Sequence, residues 1–153
     1  MDKMYKSLRF QKFGKYLIEI IVSKLEDDLN EKQDEIVKAV KNISENYAGY
    51  SVTTIVKVSS SSAIELALSN FDKNLSQIEW DNLSAKFKKE KNVFKDKHFD
   101  VGTLAPRLYL ENKSLSLINE LSEKYKGNKI KSLKDREVID MVLFSYCKNN
   151  KLI

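Results

Sequence analysis

The sequence predicts a mostly α-helical fold: an N-terminal helical domain containing one short strand, then a C-terminal module of one strand and two helices. Three observations predict it. Proline occurs once (Pro106) and glycine four times (Gly14, Gly49, Gly102, Gly127) among 153 residues, so helix-breaking residues are scarce. Apolar side chains recur every three or four positions through most of the chain. The hydrophobic share of 42% is enough for a core and excludes a chain disordered throughout.

Residues 4–30 read as one long helix, with Met4, Leu8, Phe10, Phe13, Leu17, Ile20, Ile21 and Leu25 at helical spacing. Lys3, Lys6, Arg9, Lys12 and Lys15 are spaced by threes. They would form a basic stripe, read as the wet face of a helix whose aromatics pack inward; binding to phosphates or anionic lipid is its other use. An acidic region at 26–35 leads to a second helix through Ile36, Val37, Val40 and Ile43, stopped by Gly49. Residues 50–58 are β-branched and partly alternating, and give the strand of this half. Four serines at 59–62 precede the apolar run 63–68, and a serine is expected to cap that helix by accepting from its free N–H groups. The next helix covers 76–94 through Ile78, Trp80, Leu83, Phe87 and Phe94, and turns basic toward its end, where cations complement the helix dipole. The expected division is a domain at 1–95, a linker at 96–102 and a module at 103–153.

The chain carries 27 basic and 22 acidic residues, a net charge of +5, which permits a polyanionic partner. One cysteine (Cys147) and one histidine (His98) can form neither an internal disulfide nor a zinc site, as expected of a cytoplasmic protein. The apolar run 16–22 is short and broken by Glu19, so no membrane span or signal peptide is expected. Phosphate-loop, dinucleotide and nucleophile-elbow patterns are absent from the sequence. The acidic group Glu26, Asp27, Asp28 and Glu31 lacks calcium-loop spacing, and Cys147 sits among apolar residues as a core thiol. No enzymatic activity, cofactor or metal is expected.

In the C-terminal module, Leu104, Pro106, Leu108 and Leu110 alternate with Thr103, Ala105, Arg107 and Tyr109. A strand here would have one apolar face and one face of hydrogen-bonding groups. A helix follows at 114–126 with Leu117, Ile118, Leu121 and Tyr125 on one side and Gly127 as its stop. The last helix should begin after Ser132, with Asp135 completing a capping box. Ile139, Val142, Leu143 and Tyr146 form its stripe, and Val138, Met141 and Phe144 make it apolar almost all round. A two-helix module of about 45 residues cannot bury such a helix alone; dimerisation would.

This strand–helix–helix pattern over about residues 103–150 resembles the ribbon-helix-helix family of DNA-binding proteins, the MetJ/Arc type. The resemblance implies that two chains each contribute a strand to an antiparallel ribbon in the major groove, while the start of the second helix holds the phosphate backbone. By position, Arg107 and Tyr109 would face the groove, with Thr103 or Ala105 at its edge and Glu111 on the same face. Arginine can bond guanine O6 and N7 with its fork. Ser132, Leu133 and Lys134 would clamp a phosphate at the helix N-terminus. The implied function is a homodimer that binds double-stranded DNA sequence-specifically, as a repressor, a plasmid partition or maintenance factor, or an accessory factor of DNA processing. Its N-terminal domain would serve association or a protein partner. The other reading is a non-enzymatic helical interaction subunit or inhibitor in a larger assembly, with 104–110 as an extended connector.

Overall fold

The computed structural model describes residues 3–32, 35, 38, 57–97 and 100–153. In chain order the elements are β1 (Lys3–Ser7), α1 (Lys12–Glu31), α2 (Ser60–Ser69), α3 (Gln77–Phe94), β2 (Arg107–Glu111), α4 (Asn112–Lys124) and α5 (Asp135–Asn149). The protein is thus mostly helical with a two-stranded antiparallel sheet. Apart from Lys38, which is helical, the helix expected around 36–47 lies outside the described residues, as do most of the strand expected at 50–58, Gly49 and His98; Lys57 and Val58 are described and belong to no strand.

Local chemistry fixes the helix starts. Ser59 Oγ accepts from the Ser62 N–H at 3.1 Å and caps α2. Ser76 and Glu79 form a reciprocal capping box on α3, at 3.1 and 2.7 Å. Past the end of α4, Gly127 has φ +63°, the left-handed conformation that glycine adopts without strain and that stops a helix. The last helix departs from expectation. It starts at Asp135, and Glu137 Oε2 accepts from the Lys134 N–H at 3.3 Å in place of a Ser132–Asp135 box. Leu133 is held back from the helix because its N–H donates to Ser122 O at 3.2 Å, while the Ser122 hydroxyl donates to Leu133 O.

The long helix expected at 4–30 is also corrected. Residues 3–7 form a strand paired with β2, and helix begins only at Lys12. The basic stripe therefore does not exist as one face. Lys3 and Lys6 point to opposite sides of a strand, and Lys15 is buried at 4% exposure, bonded to Glu19 and to Val101 O.

α5 lies at the centre. Val138, Ile139, Met141, Val142, Leu143, Phe144 and Cys147 are all buried, and the helix packs against α1, α2, α3 and α4. The burial that its all-round apolar character demands comes from four other helices of the same chain, two of them from its N-terminal half, not from a second copy. Phe13, Phe87, Phe94 and Phe144 cluster with ring centroids 5.3–6.3 Å apart. Residues from 10 to 147 share one core, so the elements on either side of the expected linker at 96–102 are packed together.

Five polar residues are buried among the described residues: Lys15, Ser61, Ser114, Ser122 and Asp140. Asp140 of α5 is 4% exposed and lies against Gly14, in the first turn of α1. That turn has no acidic residue and no side-chain cap. A Cβ at position 14 would overlap Asp140 Oδ1, so glycine is required here by the close approach. Burial pushes the Asp140 carboxyl up to about 7, against the pull of Arg136 and Lys91.

Gly14→Ala should thus destabilise the protein by about 1–3 kcal/mol through overpacking, although alanine ordinarily favours a helix interior by about 1 kcal/mol. In an Asp140→Ala background the same substitution should be neutral or stabilising; urea unfolding of the four proteins in the cycle checks this sign change. Asp140 also links stability to pH. Its folded value lies above its ordinary 3.8, so the folded chain holds a proton that the unfolded chain releases. The associated stability is complete below the ordinary value and is lost as pH rises through about 7. Between about pH 5 and about pH 8, Asp140→Asn should lose less stability than the wild type, as measured by urea midpoints.

Candidate nucleic-acid interface on the intrachain ribbon

The antiparallel register of β1 and β2 pairs Lys3 with Glu111, Met4 with Leu110, Tyr5 with Tyr109, Lys6 with Leu108 and Ser7 with Arg107. Opposed residues share a face. The inner face is anchored by Leu108 and Leu110, both fully buried. The outer face carries Ser7 and Arg107, Tyr5 and Tyr109, Lys3 and Glu111. Tyr5 is 57% exposed and Tyr109 49%, with ring centroids 5.6 Å apart. Arg107 and Tyr109 therefore project outward, on the face that strand alternation predicted.

The partner strand comes from the same chain. The other edge of β2 is closed by α2. Ser61 Oγ accepts from the Tyr109 N–H at 2.9 Å, and Glu65 Oε2 accepts from the Glu111 N–H at 3.1 Å. Glu65 also accepts from the Ser114 hydroxyl at 3.1 Å. A second copy's strand has no free edge of β2 to pair with in this arrangement. The two amides point away from β1, so Tyr5 and Tyr109 form a non-hydrogen-bonded pair, the kind that brings opposed side chains closest.

The remaining predicted residues are distributed around the ribbon. Thr103 precedes the strand and its hydroxyl accepts from the Ala105 N–H at 3.2 Å, so it is not on the ribbon face. Ser132 and Lys134 are exposed just ahead of α5 and line an open cleft with Arg9 and Arg136. An ion pair between Lys6 and Asp135 fastens the start of α5 to β1. The cleft is thus beside the ribbon. Among the described residues, Arg9, Arg107 and Lys134 form no ion pair. Tyr5 and Ser7 were hidden by the helical reading of 4–30, although Arg9 was named there in the basic stripe; the alternation of Lys3, Tyr5 and Ser7 with Met4 and Lys6 was the available signal.

Among the described residues no cluster of histidine, cysteine or acidic side chains could hold a metal ion. Cys147 is fully buried, and burial pushes its thiol up to about 12, which removes it as a nucleophile at neutral pH. No described helix is long and apolar enough to cross a membrane. No protein-family model, curated protein or solved structure matches this chain.

Ser61→Ala should cost about 1 kcal/mol, because the Tyr109 amide loses its acceptor. Unchanged urea stability would show that solvent already satisfies this edge.

Proposed function

We propose that the chain binds double-stranded DNA, with the outer face of the β1–β2 ribbon in the major groove. The observation that carries this reading is the exposed pair Tyr5 and Tyr109 beside Arg107, on a two-stranded ribbon whose inner face is anchored in the core. A two-stranded ribbon has the width the major groove admits, and an outward arginine has the donors that guanine O6 and N7 accept. The cleft beside it supplies Arg9, Ser132 and Lys134 for the phosphate backbone. The net charge of +5 favours approach to a polyanion.

This proposal differs from the ribbon-helix-helix arrangement in one respect. Each copy presents a complete ribbon, so a homodimer would set two ribbons on two half-sites instead of sharing one between subunits. A repressor, a plasmid maintenance factor or an accessory factor of DNA processing would all use such a surface. A second reading rests on the two exposed tyrosines of the outer face, with Met4 (55% exposed) on the ribbon's other face: exposed apolar side chains of this kind also suit a protein partner in a larger assembly.

Selection from a random duplex pool, followed by anisotropy titrations over a salt series, separates the two. Arg107→Ala should cost about 1–3 kcal/mol of discrimination at one base pair. Lys134→Ala should weaken binding to all sequences and lower the salt slope by about 1. Variants that bind as the wild type does, or a wild type without salt-dependent binding, would refute the DNA reading and leave the protein-partner one.

A further inference from the structure

The two edges of the ribbon differ. The far edge of β2 is closed by Ser61 and Glu65 of α2. The far edge of β1 is open: the sheet has two strands, and among the described residues nothing bonds to the backbone of Lys3–Ser7 on that side. Because Tyr5 and Tyr109 form a non-hydrogen-bonded pair, the N–H and C=O groups of Lys3, Tyr5 and Ser7 are the ones that point outward. An open row of this kind is a template for another strand.

The features that normally blunt such an edge are weak here. β1 has no proline, and both of its lysines are paired within the chain, Lys3 with Glu65 at 4.0 Å and Lys6 with Asp135. The inner face is also left incomplete at this edge. Leu108 and Leu110 are fully buried, whereas Met4, opposed to Leu110, is 55% exposed. An apolar side chain on the core face of an open strand asks for an apolar neighbour beyond the edge.

We propose that this edge pairs with its own counterpart in a second copy, antiparallel and centred on Met4, to make one sheet of four strands. In that register Met4 meets Met4 of the second copy, as the closely spaced kind of pair. Lys3 of each copy exchanges backbone hydrogen bonds with Tyr5 of the other, and its side chain lies against the tyrosine ring on the outer face. No like charges stand directly opposite. Centring on Lys6 would oppose two lysines, and centring on Tyr5 would set Met4 against Lys6. The inference stands apart from the DNA reading. Three strand spacings of about 4.8 Å make such a sheet about 14 Å across, wider than the major groove of about 12 Å, so this dimer is a form that holds the ribbon out of the groove.

The full-length protein would be followed by sedimentation equilibrium, without DNA, from about 10 µM to about 1 mM, the range in which small interfaces associate. The mean mass should rise from that of one chain toward that of two. Met4→Lys sets like charges opposite each other and should weaken the association about tenfold or more, with urea stability nearly unchanged because position 4 is exposed. Cross-linking gives a readout that does not depend on that variant. Met4→Cys should oxidise to a disulfide-linked dimer whose yield rises with concentration, because its Cα lies about 4.5 Å from its counterpart. Tyr5→Cys, about 7–8 Å from its own counterpart, should not link two chains, and the buried Cys147 does not compete. A single-chain mass at every concentration, an association that Met4→Lys leaves unchanged, a Met4→Cys protein that does not link, or a Tyr5→Cys protein that does would overturn the proposal.

Discussion

The structure depends on one requirement: α5 must be covered on all sides. From Val138 to Phe144 every residue is buried, and a helix segment of this kind is stable only inside a core. Four other helices meet the need. α1 and α2 come from the N-terminal half, α3 from the middle and α4 from just before it. Once α1 is drawn onto α5, the residues ahead of α1 lie beside the segment ahead of α4. The Phe10 N–H donates to Leu104 O at 2.8 Å, and the two segments pair as β1 and β2. The ribbon is therefore a consequence of how the central helix is buried.

That origin explains the asymmetry of the ribbon. Its inner face must be apolar at Leu108 and Leu110 because it closes the core. Its far edge must be satisfied by side chains of α2, because an open row of amides would be a template for association. The outer face meets neither constraint. It is there that Arg107, Tyr5 and Tyr109 stand, free of any packing role that would account for two exposed aromatic rings. The same central helix carries Asp140 into the core, where a glycine on α1 makes room for it. A carboxylate in that place works against stability at neutral pH, the kind of cost that is more often found at functional positions than elsewhere.

Much of this was legible in the sequence. The helical periodicities located α3 to within a residue or two, the serines at 59–62 contained the cap of α2, and Gly127 marked the end of the helix before it. The alternation from Leu104 to Tyr109 showed which side chains of β2 would face out. The demand for burial of the last helix was also visible; its source was not, because that depends on contacts over a hundred residues apart in sequence. The same limit hid β1. Met4, Leu8, Phe10 and Phe13 fit a helical spacing, and only the pairing with β2 makes residues 3–7 a strand. Local pattern likewise favoured Ser132 as a cap, whereas the hydrogen bonds between Leu133 and Ser122 fix a later start.

The central claim is that one chain supplies both strands of the ribbon. Tyr5 and Tyr109 are a directly opposed, non-hydrogen-bonded pair, whose spacing of about 4.5 Å between Cα atoms falls within disulfide reach. Cys147 is fully buried and does not compete. The measurement is oxidation of the Tyr5→Cys/Tyr109→Cys protein over a dilution series, read on non-reducing gels. The account predicts an internally cross-linked single chain whose yield does not depend on concentration. A cross-linked dimer, or no cross-link at any concentration, would contradict it.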